Sequence, residues 1–115
     1  MIKKPEDFNK VINNNMRNGQ GEIIINKMYE ENDTFNHVKM FSIITINPGC
    51  SIGQHEHHDE CEIFYCNKGS ATYYDDGNEV CLLAGQCAIC QDGHSHGVKN
   101  DTDTPVEIIA AIVVK

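Results

Sequence analysis

The 115-residue sequence predicts a single all-β domain, a sandwich or barrel of about eight or nine short strands. β-Branched and aromatic residues are concentrated in short runs, such as Val38–Ile46 and Val106–Val114. Turn-forming residues separate these runs at near-regular spacing, for example Asn47 to Gly49 and the Asp76-Gly77 pair. Few segments show helical spacing, and 115 residues are too short for two domains.

The N-terminal residues differ from the rest of the chain. Pro5 is followed by two acidic residues, which is typical of a helix start, and Phe8, Val11 and Ile12 have helical spacing. We therefore expect a short helix or irregular arm over residues 1–20 and a barrel over residues 21–115. Strands are predicted over residues 22–28, 38–46, 62–66, 71–74, 79–83, 86–90, 96–99 and 106–114.

Charge and composition exclude several classes of function. The formal net charge of -8, with scattered basic residues, argues against a nucleic-acid partner. No run approaches the roughly 18 apolar residues of a membrane span, and no signal peptide is apparent, so we expect a cytoplasmic protein without a membrane partner. In that compartment the six cysteines are expected to be reduced. The Cys87 and Cys90 thiols, three residues apart, should lie on opposite faces of a strand.

A histidine-rich stretch between Gly49 and Gly69 is the candidate functional segment. His55 and His57 are two residues apart, so a strand would place both imidazoles on one face. Glu62 lies at an odd offset from His57, so the strand must be interrupted at residues 58–60 if the Glu62 carboxylate is to join them. Imidazole nitrogen and carboxylate oxygen together suit Mn, Fe, Ni, Co or Zn. A fourth ligand must come from elsewhere, and His96 is the best placed remaining histidine.

Two spacings in this sequence resemble the conserved motifs of the cupin superfamily. The first motif, G(X)5HXH(X)3,4E(X)6G, is matched by Gly49, His55, His57, Glu62 and Gly69. The second, G(X)5PXG(X)2H(X)3N, is matched by Gly85, Gly93, His96 and Asn100. Gln91 stands where the second motif has proline, but Asp92-Gly93 can still form a tight turn.

The resemblance implies a double-stranded β-helix, or jelly-roll barrel, that forms a homodimer. It also implies one divalent transition metal per chain, Mn, Fe, Ni or Zn, bound by His55, His57, Glu62 and His96. Dioxygenase, isomerase and decarboxylase activities occur on this fold, so we expect a metal-dependent enzyme that acts on a small oxygen-bearing molecule. A cupin that binds or senses a small molecule without turnover is the alternative.

Several residues of the segment have simpler interpretations. The HEHHD run by itself is also compatible with a solvated loop. We expect His58 to face solvent, although it could replace Glu62 as a ligand, and His94 to lie at the pocket rim. Asn100 is interpreted as a turn former. The acidic residues Glu56, Asp59 and Glu60 are expected to point away from the metal.

Overall fold

The computed structural model describes residues 1–115 and contains two antiparallel sheets. The six-stranded sheet has the order β1-β2-β3-β10-β5-β8, and the four-stranded sheet has the order β4-β9-β6-β7. The strands are β1 Asn9–Asn14, β2 Glu22–Lys27, β3 Val38–Ile46, β4 Ser51–Glu56, β5 Glu60–Lys68, β6 Ser70–Asp75, β7 Asn78–Leu83, β8 Cys87–Cys90, β9 Ser95–Lys99 and β10 Val106–Val114. Three 3-10 turns complete the chain: Pro5–Asp7, Met16–Asn18 and Glu31–Asp33.

The two sheets face each other across one apolar core. Alternate residues of each central strand are buried, as Ser42, Ile44 and Ile46 are on β3. Fourteen buried residues from both sheets form a single hydrophobic cluster. Burial of apolar area on this scale is the main favourable contribution to folding. This two-sheet jelly roll confirms the predicted fold class.

The prediction of a helix near the N-terminus was wrong. Residues Pro5–Asp7 make only a 3-10 turn, and the residues with helical spacing lie in β1, which pairs antiparallel with β2. Pairing gives the β2 edge its hydrogen-bond partners, whereas a short isolated helix rich in asparagine has little intrinsic stability. The division into an arm of residues 1–20 and a barrel of residues 21–115 stays a prediction. No helix has the length and apolar character needed to cross a membrane.

Asn100 fixes the loop that leads into β10. Its side-chain amide donates to the carbonyls of Ile46 and Thr104, each at 2.8 Å, and its Oδ1 accepts from the backbone N–H of Thr102 at 2.9 Å. Asn100 is fully buried, so these bonds satisfy polar atoms that burial would otherwise leave without water. The interpretation of Asn100 as a turn former is confirmed.

The cysteines divide by exposure. Cys87 is exposed and Cys90 is buried, so the two thiols lie on opposite faces of β8 as predicted. Burial raises the pKa of the Cys90 thiol to about 11, and it also raises the pKa of Cys66. Both thiols therefore stay protonated at neutral pH, which makes them poor nucleophiles.

We predict that Cys81, exposed on β7, reacts with Ellman's reagent at pH 8 far faster than Cys66 and Cys90. Stopped-flow absorbance on the native protein measures the phases, and the Cys81→Ser variant should lose one fast phase. A Cys90→Ser variant that lost a fast phase instead would contradict the assignment.

Candidate metal centre

Four side chains meet inside the barrel: three lie on strands β4, β5 and β9, and His57 lies directly after the end of β4. His55, His57, Glu62 and His96 each offer one ligand atom, and these atoms lie within 4.8 Å of one another. Glu62, His57 and His96 are buried and His55 is half-buried. The structure thus brings together the same four residues that the sequence indicated.

An irregularity in β4 aims His55 into the barrel. Ile52 pairs with Val98 and His55 pairs with His96, so β4 has one residue more than β9 between these pairs. The extra residue forms a β-bulge at Gly53 and Gln54, which shifts the side-chain alternation by one. Ile52 and His55 therefore both face inward, although an odd offset separates them.

The chain break between β4 and β5 lets Glu62 join the histidines. Strand β4 ends at Glu56, β5 begins at Glu60, and Asp59 between them has a positive φ of 60°. Alternation restarts on β5, where Glu62 and Phe64 are buried. The interruption predicted at residues 58–60 is present and lies one residue earlier, at residues 57–59.

His96 reaches the cluster from the second motif. The turn before it closes through a hydrogen bond from the N–H of His94 to the carbonyl of Gln91 at 3.0 Å, with Gly93 at a φ of 83°. The N–H of Gly93 also donates to the carbonyl of His57 at 2.8 Å, which ties the turn to the first motif. Glutamine in the usual proline position thus leaves the turn intact.

The three imidazoles share one pattern of hydrogen bonds. Nδ1 of His55 donates to the Gly53 carbonyl at 2.7 Å, and Nδ1 of His57 lies 2.6 Å from a Glu60 carboxylate oxygen. Nδ1 of His96 lies 2.9 Å from the Tyr73 hydroxyl, which can accept its proton. With every Nδ1 directed outward to such a partner, each neutral ring leaves Nε2 as a free lone pair.

Those lone pairs point at one another and at a carboxylate. Nε2 of His57 lies 3.0 Å from Nε2 of His96, and both lie near Oε1 of Glu62, at 3.2 and 2.9 Å. Lone pairs this close repel unless a proton or a metal cation lies between them. The donor set of three imidazoles and one carboxylate therefore fits a divalent transition metal.

The pKa shifts of Glu62 and His57 have the directions expected of groups that attract positive charge. Burial raises the pKa of Glu62, but when Nε2 of His57 and His96 carries a proton, the hydrogen bonds from these rings outweigh burial and hold the pKa below its ordinary value. The hydrogen bond to Glu62 raises the pKa of His57, and burial lowers the pKa of His55. An ionised carboxylate beside neutral imidazoles is the protonation state that metal binding requires.

The ion pair between Lys39 and Glu60 supports the Nδ1 side of the His57 ring, and the sequence did not predict this pair. Glu60 accepts from His57 and also accepts from Nζ of Lys39 at 3.0 Å. Lys39 is the extra residue of a bulge between β3 and β10, where Met40 pairs with Ile112 and Val38 with Val113. The alternation of polar and apolar residues in the sequence does not reveal this bulge. Glu60 points away from the ligand atoms, as predicted, but it holds the ring that carries one of them.

The other acidic residues and histidines of the segment lie outside the cluster. His58 is exposed, as predicted, and lies 3.7 Å from a Glu56 carboxylate oxygen. The backbone N–H of Asp59 donates to Asp92 at 2.7 Å. His94 is half-exposed and pairs with Asp76 at 2.5 Å, away from the four-residue cluster.

A small cavity of about 40 Å³ opens onto the cluster. Its polar lining consists of His55, His57, Glu62 and Arg17. The remaining lining is apolar: Met16, Met40, Ile44, Ile52, Phe64 and Ile112. By the volume that buried waters occupy, the cavity has room for about three of them. Only a ligand of a few heavy atoms fits such a space.

Comparison with known proteins agrees with this architecture. The profile of the cupin domain matches residues 42–113, more than half of the chain. The chain belongs to the cupin family. The match includes both the histidine-rich segment and His96, which places the four-residue cluster inside the cupin domain.

Two similar proteins come from Thermotoga maritima. This cupin is 32% identical over 100 residues to an oxalate-binding protein, covering 87% of this chain and 83% of that one. The crystal structure of a predicted oxalate decarboxylase superposes with a TM-score of 0.94 at 29% identity, covering 100% of both chains. A sugar phosphate isomerase of the cupin superfamily from Silicibacter pomeroyi has a TM-score of 0.81 at 16% identity, over 100% of this chain and 76% of that one, and shares the fold.

We predict that Glu60→Gln weakens divalent-metal affinity by about tenfold or more, because a neutral amide is a weaker acceptor for Nδ1 of His57. Isothermal titration with Mn²⁺ or Zn²⁺ measures the dissociation constant. Glu56→Gln removes the same charge from an exposed side chain nearby and should change the affinity much less. Equal affinities for the two variants would contradict a positioning role for Glu60.

Proposed function

We propose that this cupin binds one divalent transition metal through His55, His57, Glu62 and His96 and acts there on a small oxygen-bearing molecule. The observation that supports it is the convergence of four ligand atoms within 4.8 Å, with all three Nδ1 atoms hydrogen-bonded outward. Three nitrogens and one oxygen leave positions open on an octahedral ion, where a ligand can bind.

The chain's own groups would prepare the site for such a ligand. A bound divalent ion would supply Lewis-acid polarisation of the ligand's oxygen atoms. The apolar wall, with Phe64 and Ile44, excludes bulk water and strengthens electrostatic interactions inside the cavity. Glu62 is the one carboxylate in the lining, so it is the group available to hold or move a proton there.

Oxalate is the first molecule to test. The oxalate-binding relative and the predicted oxalate decarboxylase share 32% and 29% identity with this chain, and both are named for the same compact dicarboxylate. We therefore propose small carboxylates as the ligand class.

Binding without turnover is the second candidate function. Apart from the four cluster residues, the cavity lining offers no carboxylate or imidazole that could serve as general acid or base. An enzyme usually holds such a group within hydrogen-bond reach of the reacting atoms. The relative named for oxalate binding is consistent with this candidate.

We predict about one divalent metal per chain in protein purified from medium that contains Mn, Fe, Ni and Zn. Elemental mass spectrometry measures the content. His96→Ala removes one ligand and should lower occupancy strongly, whereas His94→Ala, which changes a half-exposed histidine outside the cluster, should not. Circular dichroism checks that both variants fold. Metal-free wild-type protein would refute the metal centre.

The same metal-loaded protein separates the two candidate functions. Oxalate is incubated with it in air and its concentration is followed over time, with His96→Ala as the control. Loss of oxalate that depends on His96 supports an enzyme. Saturable binding with full recovery of oxalate supports a binding protein and contradicts turnover of this compound.

We also propose that the chain forms a homodimer through the outer face of its six-stranded sheet. Two apolar rows cross that face. Phe41, Ala111, Ile63 and Ile89 are paired in one row, and Ile43, Ile109, Tyr65 and Cys87 in the next. Phe41, Tyr65 and Ile89 remain more than 40% exposed in the single chain. Contiguous apolar surface of this kind favours a protein partner, and a second copy can cover it by twofold symmetry.

Multi-angle light scattering should therefore give the mass of a dimer. Ile89→Glu places a charge on the apolar face, at a residue that is 57% exposed, and should shift the mass toward that of a monomer. Leu83→Glu is the matched control, because Leu83 is also exposed but lies on the other sheet. A monomeric wild-type protein, or equal dissociation of both variants, would refute this interface.

A further inference from the structure

Arg17 is the one cationic residue among those that line the metal cavity, and it is exposed to solvent. It is also the only arginine in the sequence. Its guanidinium makes no ion pair and no hydrogen bond within the chain, whereas Lys39, close to the same cluster, is already paired with Glu60. A guanidinium presents donors in a planar fork that matches a carboxylate. At the mouth of this cavity, Arg17 is available to a ligand.

The backbone around Arg17 is strained and firmly held. Asn15, Arg17 and Asn18 have φ values of 53°, 54° and 62°, in the left-handed region that disfavours a side chain such as arginine. Such strain costs of the order of 1–3 kcal/mol per residue and persists only where surrounding contacts fix the conformation. Here the N–H of Gly19 donates to the carbonyl of Met16 at 2.9 Å.

The turn is also joined to β4 next to the metal ligands. Ser51 and Gln20 exchange two hydrogen bonds, at 2.8 and 2.9 Å. The Arg17 carbonyl lies 2.0 Å from the position that a Cβ on Gly53 would occupy, so only glycine permits this contact. Gly53 in turn accepts the hydrogen bond from His55. The position of Arg17 is thus fixed relative to His55.

The net charge at the metal cavity favours a ligand that carries two negative charges. When these four residues bind a metal, the Glu62 carboxyl is ionised and the imidazoles are neutral, so the ligand set carries one negative charge. A divalent ion and Arg17 then leave two positive charges at the cavity, because Lys39 and Glu60 cancel each other. A small dicarboxylate would neutralise both positive charges, and the apolar lining of the cavity strengthens that attraction.

We propose that Arg17 is the specificity-determining residue of this site and binds the carboxylate of a small dianionic ligand whose other oxygens bind the metal. The proposal rests on the metal-dependent function above, and adds that the N-terminal turn selects the charge of the ligand. A neutral carbonyl compound or a sugar would leave Arg17 without an ionic partner and is disfavoured.

The test measures oxalate and metal binding separately by isothermal titration. Arg17→Asn removes the guanidinium and tolerates the left-handed backbone, so it should keep the fold and the metal affinity. Its dissociation constant for oxalate should rise at least about tenfold, the equivalent of one charge-assisted hydrogen bond. Arg17→Lys keeps the positive charge but lacks the planar pair of donors, so its dissociation constant for oxalate should rise less. Lys10→Gln, a charge change on exposed β1, is the control and should match the wild type.

The outcomes separate this inference from the function on which it rests. If metal-loaded Arg17→Asn and Arg17→Lys both bind oxalate like the wild type, the role of Arg17 is refuted and the metal centre stands. If the metal-loaded wild type binds no oxalate, the dianion assignment is refuted. If the wild type takes up no metal, the proposed function fails and this inference fails with it. Should Arg17→Asn not fold, Arg17→Lys alone decides the role of Arg17.

Discussion

The pairing of β4 with β9 is the constraint on which the site depends. It places His55 directly opposite His96, so two residues that are 41 positions apart in sequence become cross-strand neighbours. Their rings are 4.7 Å apart, and the His57 ring lies 5.0 and 4.9 Å from them, each pair edge to face. A shift of one residue in this register would turn His55 toward solvent and break up the cluster.

The groups that lie next to Nδ1 of the three imidazoles differ in strength as hydrogen-bond acceptors. His57 has an ionised carboxylate, His55 has a backbone carbonyl, and His96 has a tyrosine hydroxyl. Burial raises the pKa of Tyr73, so its hydroxyl stays neutral, whereas the pKa of Glu60 is held below its ordinary value by Lys39 and His57 despite burial. The carboxylate makes the His57 ring the most electron-rich of the three.

Motif spacing predicted the four cluster residues because cross-strand pairing follows from regular alternation and short turns. The strand β3, Val38–Ile46, was predicted with its observed bounds because its β-branched residues have no competing pattern. The bulges at Gly53 and Lys39 were not predictable, since a bulge depends on the partner strand and leaves no periodic signal. Strand β1 was not predicted for a related reason. Its pairing with β2 stabilises an extended conformation more than the spacing of Val11 and Ile12 stabilises a helix.

The contact between Arg17 and Gly53 has a consequence for how the chain can diversify. The residues of the cluster lie on β4, β5 and β9 or directly after β4, whereas the cation at the cavity mouth lies on a turn of three residues, Met16–Asn18, in the N-terminal segment. A change in that turn alters the charge presented to a ligand while every ligand atom of the cluster stays in place. Gly53, which admits the turn, thus joins the four-residue cluster to a segment whose sequence can change without moving that cluster.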